Sequence, residues 1–379
     1  MVINEEGEMG ERLQAGLKLK RIVFRILRAA RVHLGQNRTA HFEPAVEDYR
    51  RYWEGAAQIL SAEFVPLADA LWEVRLNGRR TRIMNRMVQL GDPVVNGVSG
   101  DKALCYRLAM EQGVPVPQYG VFRLEELSEA KKFLAQNPGV YVVKPVREST
   151  ASAGVTTHVR TERQLENAAV SVSLFAKEFL VERMIFGETC RLLWLDGELI
   201  HAVRQRGVRV TGDGCSTIAR LLKQPGSGSV PFDLTTQMTL QAQGLSPETV
   251  PEDGREILVR SLRPGLDSSR EWLTVHDDEI TDLVCPAIIE DVRKVLGMIG
   301  NTIAGVDIIT NDPTVSLRQS GGVLLEVNPG PSIHKHYINP EDHHSHPVAV
   351  KILSYLLQVS TANHVLLPAK KPPSTFSER

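Results

Sequence analysis

The chain has 379 residues, 42% of them hydrophobic, enough material for two or three compact lobes with cores of their own. Its 44 basic and 45 acidic residues nearly cancel, so no overall field gathers nucleic acid or an acidic membrane. Cys105, Cys190, Cys215 and Cys285 are scattered without a CxxC pair, which excludes a disulfide frame, and no apolar run approaches the ~20 residues of a membrane span.

In chain order, residues 1–35 carry the first element. Leu19, Ile22, Val23, Ile26, Leu27 and Ala30 fall at helical spacing among Lys18, Lys20, Arg21, Arg25, Arg28 and Arg31. Such a basic amphipathic helix docks on its own protein or a second subunit, or lies on an acidic membrane surface. No second membrane signal accompanies it. The N-terminus is acidic before it is basic and lacks a cleavage pattern, so a soluble cytoplasmic protein is expected.

Residues 36–97 read as a small α/β lobe. Phe42, Val46, Tyr49, Trp53 and Leu60 mark a helix, and "LWEVRLNGRRTRIM" alternates around Asn77-Gly78, a strong hairpin signal. Residues 98–180 alternate between helix and strand. "DKALCYRLAMEQGVPVP" is a helix ended by Gly113 and two prolines, "VYVVKPV" a buried strand and "RTERQLENAAVSVSLF" a helix. Around and beyond residue 181, "EFLVERMI" is a strand and "CRLLWLDGELIHAVRQ" a hairpin turning at Asp196-Gly197. Residues 224–270 are rich in Gly, Pro and Ser with weak periodicity, an excursion from the lobe that runs to residue 365. "DEITDLVCPAIIEDVRKVLGMIG" reads as one helix, "TIAGVDIIT" and "GGVLLEVN" as paired strands, and "VAVKILSYLLQVS" as a last helix before a loose tail at 366–379. The class is α+β.

The strand "GGVLLEVN" presents Glu326 and Asn328 on one face while Val327 points back. Asp307 likewise replaces a core residue in "AGVDIIT". Buried carboxylates need a cationic partner. Paired strands would gather Asp307, Glu326 and Asn328 as three oxygen ligands of a hard divalent cation such as Mg2+. The plainer alternative is an Asp capping a turn and a Glu paired to an Arg. Lys144 ends "VYVVKPV" and Lys102 opens a helix after "SGD", point charges suited to phosphate. The small polar loop "RESTASAGV" after Lys144 can turn backbone N–H groups toward an anion.

The motifs "VSGDK…GVPVP", "VVKPVRESTASAGV", "VERMIFGETCRLLWLDGELIHAV", "VTGDGCSTIARLL", "GVDII" and "LLEVNPGPS" occur in this order. Their succession over residues 98–355 resembles the ATP-grasp superfamily of carboxylate–amine ligases. The likeness is greatest to the branch of D-alanine–D-alanine ligase and the ATP-grasp part of cyanophycin synthetase. Nothing like the Mur-ligase-like domain of a full cyanophycin synthetase follows residue 355.

The resemblance implies two α+β lobes clasping ATP, preceded by a small α/β lobe. It implies that Lys102 and Lys144 hold ATP phosphates, and that Glu182, Arg183, Met184 and Ile185 form the hinge that reads adenine. Glu188 would take the ribose hydroxyls, and Asp307, Glu326 and Asn328 two Mg2+ ions, with Mn2+ as an alternative. Arg191 and Arg204 or Arg206 would face the acceptor and an acyl phosphate. The implied activity joins a carboxylate to an amine of an amino acid or short peptide, in an enzyme expected to be a homo-oligomer, with a dimer favoured. Alternative readings are a catalytically silent nucleotide- or partner-binding protein and a phosphotransferase on the same fold.

Two stretches depart from the family pattern. The loop "ESTASAG" offers only Gly154 where relatives carry several glycines, which bears on how closely its backbone meets phosphate. His334, His336, His343, His344 and His346 crowd the segment after "LLEVN". They read as a solvated loop, as an acceptor contact through His334 or His336, or as a zinc site, for which the spacing is unordered. Cys190, Cys215 and Cys285 sit beside apolar residues and read as packing groups.

Overall fold

The computed structural model describes residues 16–23, 26, 43–147, 154–174, 176–223, 234–260, 277–337 and 347–359. Alternation along short strands shapes the first lobe. β1 (Glu63–Ala68), β2 (Leu71–Leu76), β3 (Arg79–Met84) and β4 (Met87–Val88) form an antiparallel meander in that order. Asn77 and Gly78, at φ 51° and 79°, make the tight β2–β3 turn. Trp72, Val74 and Ile83 point inward onto Tyr52 and Trp53 of α2 (Glu43–Ile59), while Glu73, Arg75 and Arg82 pair on the outer face.

α1 (residues 16–23) precedes this lobe but docks on the next one. Leu17 is buried among Leu165 and Ala169, Lys20 pairs with Glu166, and Arg21 donates to the Ser173 carbonyl at 3.3 Å. Leu19, Ile22, Val23 and Ile26 of the predicted apolar stripe remain exposed. Leu27 and Ala30 lie outside the described residues.

α3 (Pro93–Ser99) and α4 (Lys102–Glu111) begin at the N-caps Asp92 and Asp101, whose carboxylates accept from backbone N–H groups. An antiparallel sheet follows, ordered β5 (Tyr119–Arg123), β8 (Glu178–Arg183), β6 (Tyr141–Pro145), β7 (Thr156–Val159). α5 (Leu127–Gln136) and α6 (Glu162–Val172) pack on it through Leu127, Ala130, Leu165 and Ala169.

The last lobe is a five-stranded antiparallel sheet ordered β13 (Asp278–Glu279), β10 (Glu198–Gln205), β9 (Glu188–Leu195), β14 (Ile303–Thr310), β15 (Val323–Asn328). One face, with Cys190, Leu192, Trp194, Val306, Ile308 and Val327, packs on α9 (Pro286–Ile299) and α4. The other face sends Leu193, Leu195 and Ile303 into the core of the first lobe, which α11 (Pro347–Leu357) completes. α10 (Leu317–Ser320) links β14 to β15.

Two elements differ from expectation. Within 224–270 the chain forms α8 (Leu234–Ala242) and β12 (Glu256–Arg260). β12 pairs with β11 (Val208–Thr211), and with α7 (Ile218–Leu221) these enclose a small core of Val210, Ile218, Leu240, Ile257 and Val259. α8 escapes a periodicity argument because it buries Thr236 and Thr239 beside Met238 and Leu240. The helix read from residue 278 starts only at Pro286, since Asp278 and Glu279 are taken by the edge of β10 and a 3-10 turn intervenes at Thr281–Leu283. No described helix is long and apolar enough to cross a membrane.

Candidate active site

Asp307, Glu326 and Asn328 come together on one face because β15 carries a bulge. Asp307 stands opposite Glu326 and Gly305 opposite Asn328, whereas Ile308 stands opposite Leu324, so Leu325 has no partner in the register. Arg191, opposite Asp307 on β9, places Nη1 2.6 Å from Asp307 Oδ2, and Asn328 Nδ2 donates to the same oxygen at 3.3 Å. Lys102, at the start of α4, sits 3.1 Å from Glu326 Oε1. Burial pushes the Glu326 carboxyl up, but the charges of Lys102, Lys144 and Arg191 outweigh it and hold it below the usual carboxylate range.

Gly305 lies directly under Arg191. A Cβ there would fall 2.8 Å from Arg191 Nε and 2.9 Å from Cζ, closer than side chains pack. Gly305→Ala is therefore expected to displace the guanidinium from Asp307 at a cost of about 1–3 kcal/mol. Thermal unfolding together with turnover measures it, and an unchanged protein would mean that Arg191 has another rotamer to use.

Lys144 is buried at the end of β6, 2.8 Å from Glu182 Oε1 on β8 and 3.1 Å from the Tyr106 hydroxyl. Tyr106, on α4, donates to Glu182 Oε2 at 2.7 Å and lies 2.9 Å from the Leu325 carbonyl. Tyr106 carries none of the expected roles in the sequence reading, where it looks like one more helix residue. Past Glu182 the backbone is tied to the central lobe, Arg183 N–H donating to Gln118 and Met184 N–H to Val140. Arg183 is exposed, Met184 and Ile185 are half-buried, and Phe186 is exposed before Gly187.

Glu188, Arg204 and Arg206 gather elsewhere. Arg204 Nη2 lies 2.6 Å and Arg206 Nη2 3.1 Å from Asp278 Oδ2, with Glu188 3.6 Å from Arg204 and Arg209 at the cluster's edge. Arg204 stands opposite Cys190, and strand alternation puts Glu188, Cys190 and Arg204 on the face away from Arg191 and Asp307. The structure thus separates Arg191 from the two arginines expected beside it. Arg209 and Asp278 were not singled out in the sequence.

The turn after β15 contacts the first lobe. A Cβ on Gly330 would meet Met87 Sδ at 2.9 Å, and the Tyr49 hydroxyl lies 2.7 Å from His334 Nδ1. His336 is fully buried with Nδ1 3.0 Å from His201 Nδ1, which requires one proton between the rings. Burial first, then His201, Arg191, His334 and Lys335, holds His336 well below its usual 6.5. A histidine kept neutral in the folded chain makes unfolding take up protons, so its stabilisation is intact above pH 6.5 and declines as pH falls below that value. The thermal midpoint should drop from pH 7 to pH 5, and less steeply in His336→Asn; parallel slopes would assign the acid loss to other groups. His343, His344, His346 and residues 148–153 of the loop after Lys144 lie outside the described residues.

Among the described residues no three His, Cys, Asp or Glu side chains gather closely enough to hold a metal alone. The set on β14 and β15 is two carboxylates and an amide, facing lysine charges. Such oxygen donors fit a hard divalent cation whose shell is completed by water and phosphate.

The arrangement is the ATP-grasp fold: two α+β lobes, each built on an antiparallel sheet, with Lys102 at the start of α4 meeting Glu326 of the last sheet. No family model matches the chain. Cyanophycin synthetase from Trichormus variabilis is 30% identical over 62% of this chain and 27% of its own length. The enzyme of the same name from Synechocystis is 28% identical over 93% of this chain and 42% of its own. The chain thus spans less than half the length of these relatives. The crystal structure of a bifunctional glutathione synthetase from Pasteurella multocida superposes with a TM-score of 0.50 at 17% identity, over 80% of this chain and 43% of that one.

Proposed function

We propose that the protein is an ATP- and Mg2+-dependent ligase that joins a carboxylate to an amine, both from amino acids or short peptides, through an acyl phosphate. The observation that carries the reading is the bulged face of β15, where Glu326 and Asn328 meet Asp307 beside Lys102 and Arg191. Lys144 and Lys102 would bind the ATP phosphates as fixed point charges. The backbone of Glu182–Ile185 would border the base. Asp307, Glu326 and Asn328 would hold Mg2+, which neutralises charge on the phosphates when bound.

In the first step the substrate carboxylate takes the γ-phosphoryl group, and the amine then attacks the acyl carbon and displaces phosphate. Arg191, fixed by Asp307, would stabilise the oxyanion, and His334, fixed by Tyr49, would border the acceptor. Positioning and charge stabilisation supply most of the rate in such transfers. Glu188, Arg204 and Arg206, gathered around Asp278 with Glu188 and Arg204 on the opposite sheet face, would keep their ribose and acceptor roles only if substrate reaches round the end of β9. A cytoplasmic homodimer with α1 as an interface completes the reading.

The test is ADP release from ATP and Mg2+ against a panel of amino acids and short peptides, with product masses read in parallel. A pair that stimulates release and yields a mass equal to their sum less water establishes the ligase. Nucleotide binding without turnover over the panel would favour a catalytically silent binding protein. A phosphorylated product without an amide would favour a phosphotransferase.

A further inference from the structure

We infer that Tyr106 is a positioning residue for both halves of the nucleotide site, holding Lys144 with Glu182 on one side and the bulge that aims Glu326 on the other. The inference rests on the nucleotide-binding reading above. Without the bulge, Asp307 would stand opposite Leu325, and Glu326 would stand opposite Val306, on the face packed against α9. One extra residue carries Glu326 to the face of Asp307. That residue, Leu325, has its carbonyl 2.9 Å from the Tyr106 hydroxyl.

The same hydroxyl receives a hydrogen bond from Lys144 Nζ at 3.1 Å and lies 2.7 Å from Glu182 Oε2. Lys144, Glu182 and Tyr106 are enclosed and the Leu325 carbonyl is half-buried, and buried polar groups are costly to leave unpaired. Burial and the Glu182 carboxylate keep the phenol protonated, and its single proton is shared between Glu182 Oε2 at 2.7 Å and the Leu325 carbonyl at 2.9 Å. One side chain on α4 thus joins β6 and β8 of the central sheet to β15 of the last sheet. The phosphate lysine and the metal carboxylate share a single fixed point. Lys102, four residues earlier on α4, meets Glu326 from the same helix.

Tyr106→Phe keeps the ring and its edge contact with Tyr119, whose centroid lies 5.1 Å away, and removes only the hydroxyl. The probe is the non-hydrolysable imido analogue of ATP, titrated by calorimetry in Mg2+ and in EDTA, with thermal midpoints recorded alongside. Affinity in Mg2+ is expected to fall about 10- to 100-fold, and the gain on going from EDTA to Mg2+ to shrink. Glu182→Gln, which leaves the hydroxyl on Leu325, is expected to weaken binding in EDTA while keeping the Mg2+ gain, and it serves if the Phe variant does not fold. Wild-type protein that binds no analogue would refute the nucleotide reading itself. Equal binding by wild type and Tyr106→Phe in both conditions would overturn the inference alone. An equal loss in EDTA and Mg2+ would overturn its Glu326 half.

Discussion

Turnover by Glu326→Gln is expected to fall roughly 10²- to 10³-fold, the scale set by removing one charge-stabilising group from a transition state. The substitution keeps the shape of the side chain but removes the charge that would hold Mg2+. It also leaves the buried Lys102 ammonium facing a neutral amide, a further cost of about 1–3 kcal/mol. The acid sensitivity should change as well. Because the lysines and Arg191 hold the Glu326 carboxyl below 4.5, its contribution is complete above that pH and is lost as pH falls through the folded value. Glu326→Gln should flatten that acid limb. Full turnover in the variant would remove Glu326 from the metal set.

Lys144→Met is expected to be the most damaging change to the fold among the site residues. Glu182 is almost wholly enclosed, and among the described residues its carboxylate keeps only the Tyr106 hydroxyl once Lys144 is gone. Breaking one side of a buried pair costs about 3–5 kcal/mol, on the order of 10 °C in thermal midpoint. The double change Lys144→Met with Glu182→Leu should recover most of that stability, since apolar replacements of buried pairs are often neutral or better. Nucleotide affinity should stay low in both proteins. A double variant that regains both stability and nucleotide binding would show that Lys144 serves the fold and not the phosphates.

The strand pair carrying the candidate metal ligands was legible because charge is conspicuous in apolar strands such as "AGVDIIT" and "LLEVN". The Asn77-Gly78 and Asp196-Gly197 hairpins were legible from turn chemistry, and the structure has both. What could not be read were the bulges, which are properties of pairing and not of a local sequence. In an unbroken β9–β10 hairpin Arg204 would stand opposite Thr189, on the face of Arg191; the irregularity between Leu199 and His201 moves it opposite Cys190 instead. The bulge at Leu325 acts in the opposite sense and brings Glu326 to Asp307. Tyr106 gave no signal because its partners come from three distant strands. α8 gave none because threonines fill positions that an amphipathic helix gives to leucine.

Trp53 and Trp72 of the first lobe share one core with Leu193 and Ile303 of the last sheet and with Val348, Ile352 and Leu353 of α11. For an engineer, the first lobe is therefore not a detachable module. A chimera that exchanged residues 43–92 with those of a relative would inherit half of a jigsaw, with foreign side chains set against native ones from more than 100 residues away. Successful recombination at this site calls for transplanting α11 and the Ile333–Tyr337 turn together with the lobe, so that sequence-distant pieces travel as one cassette.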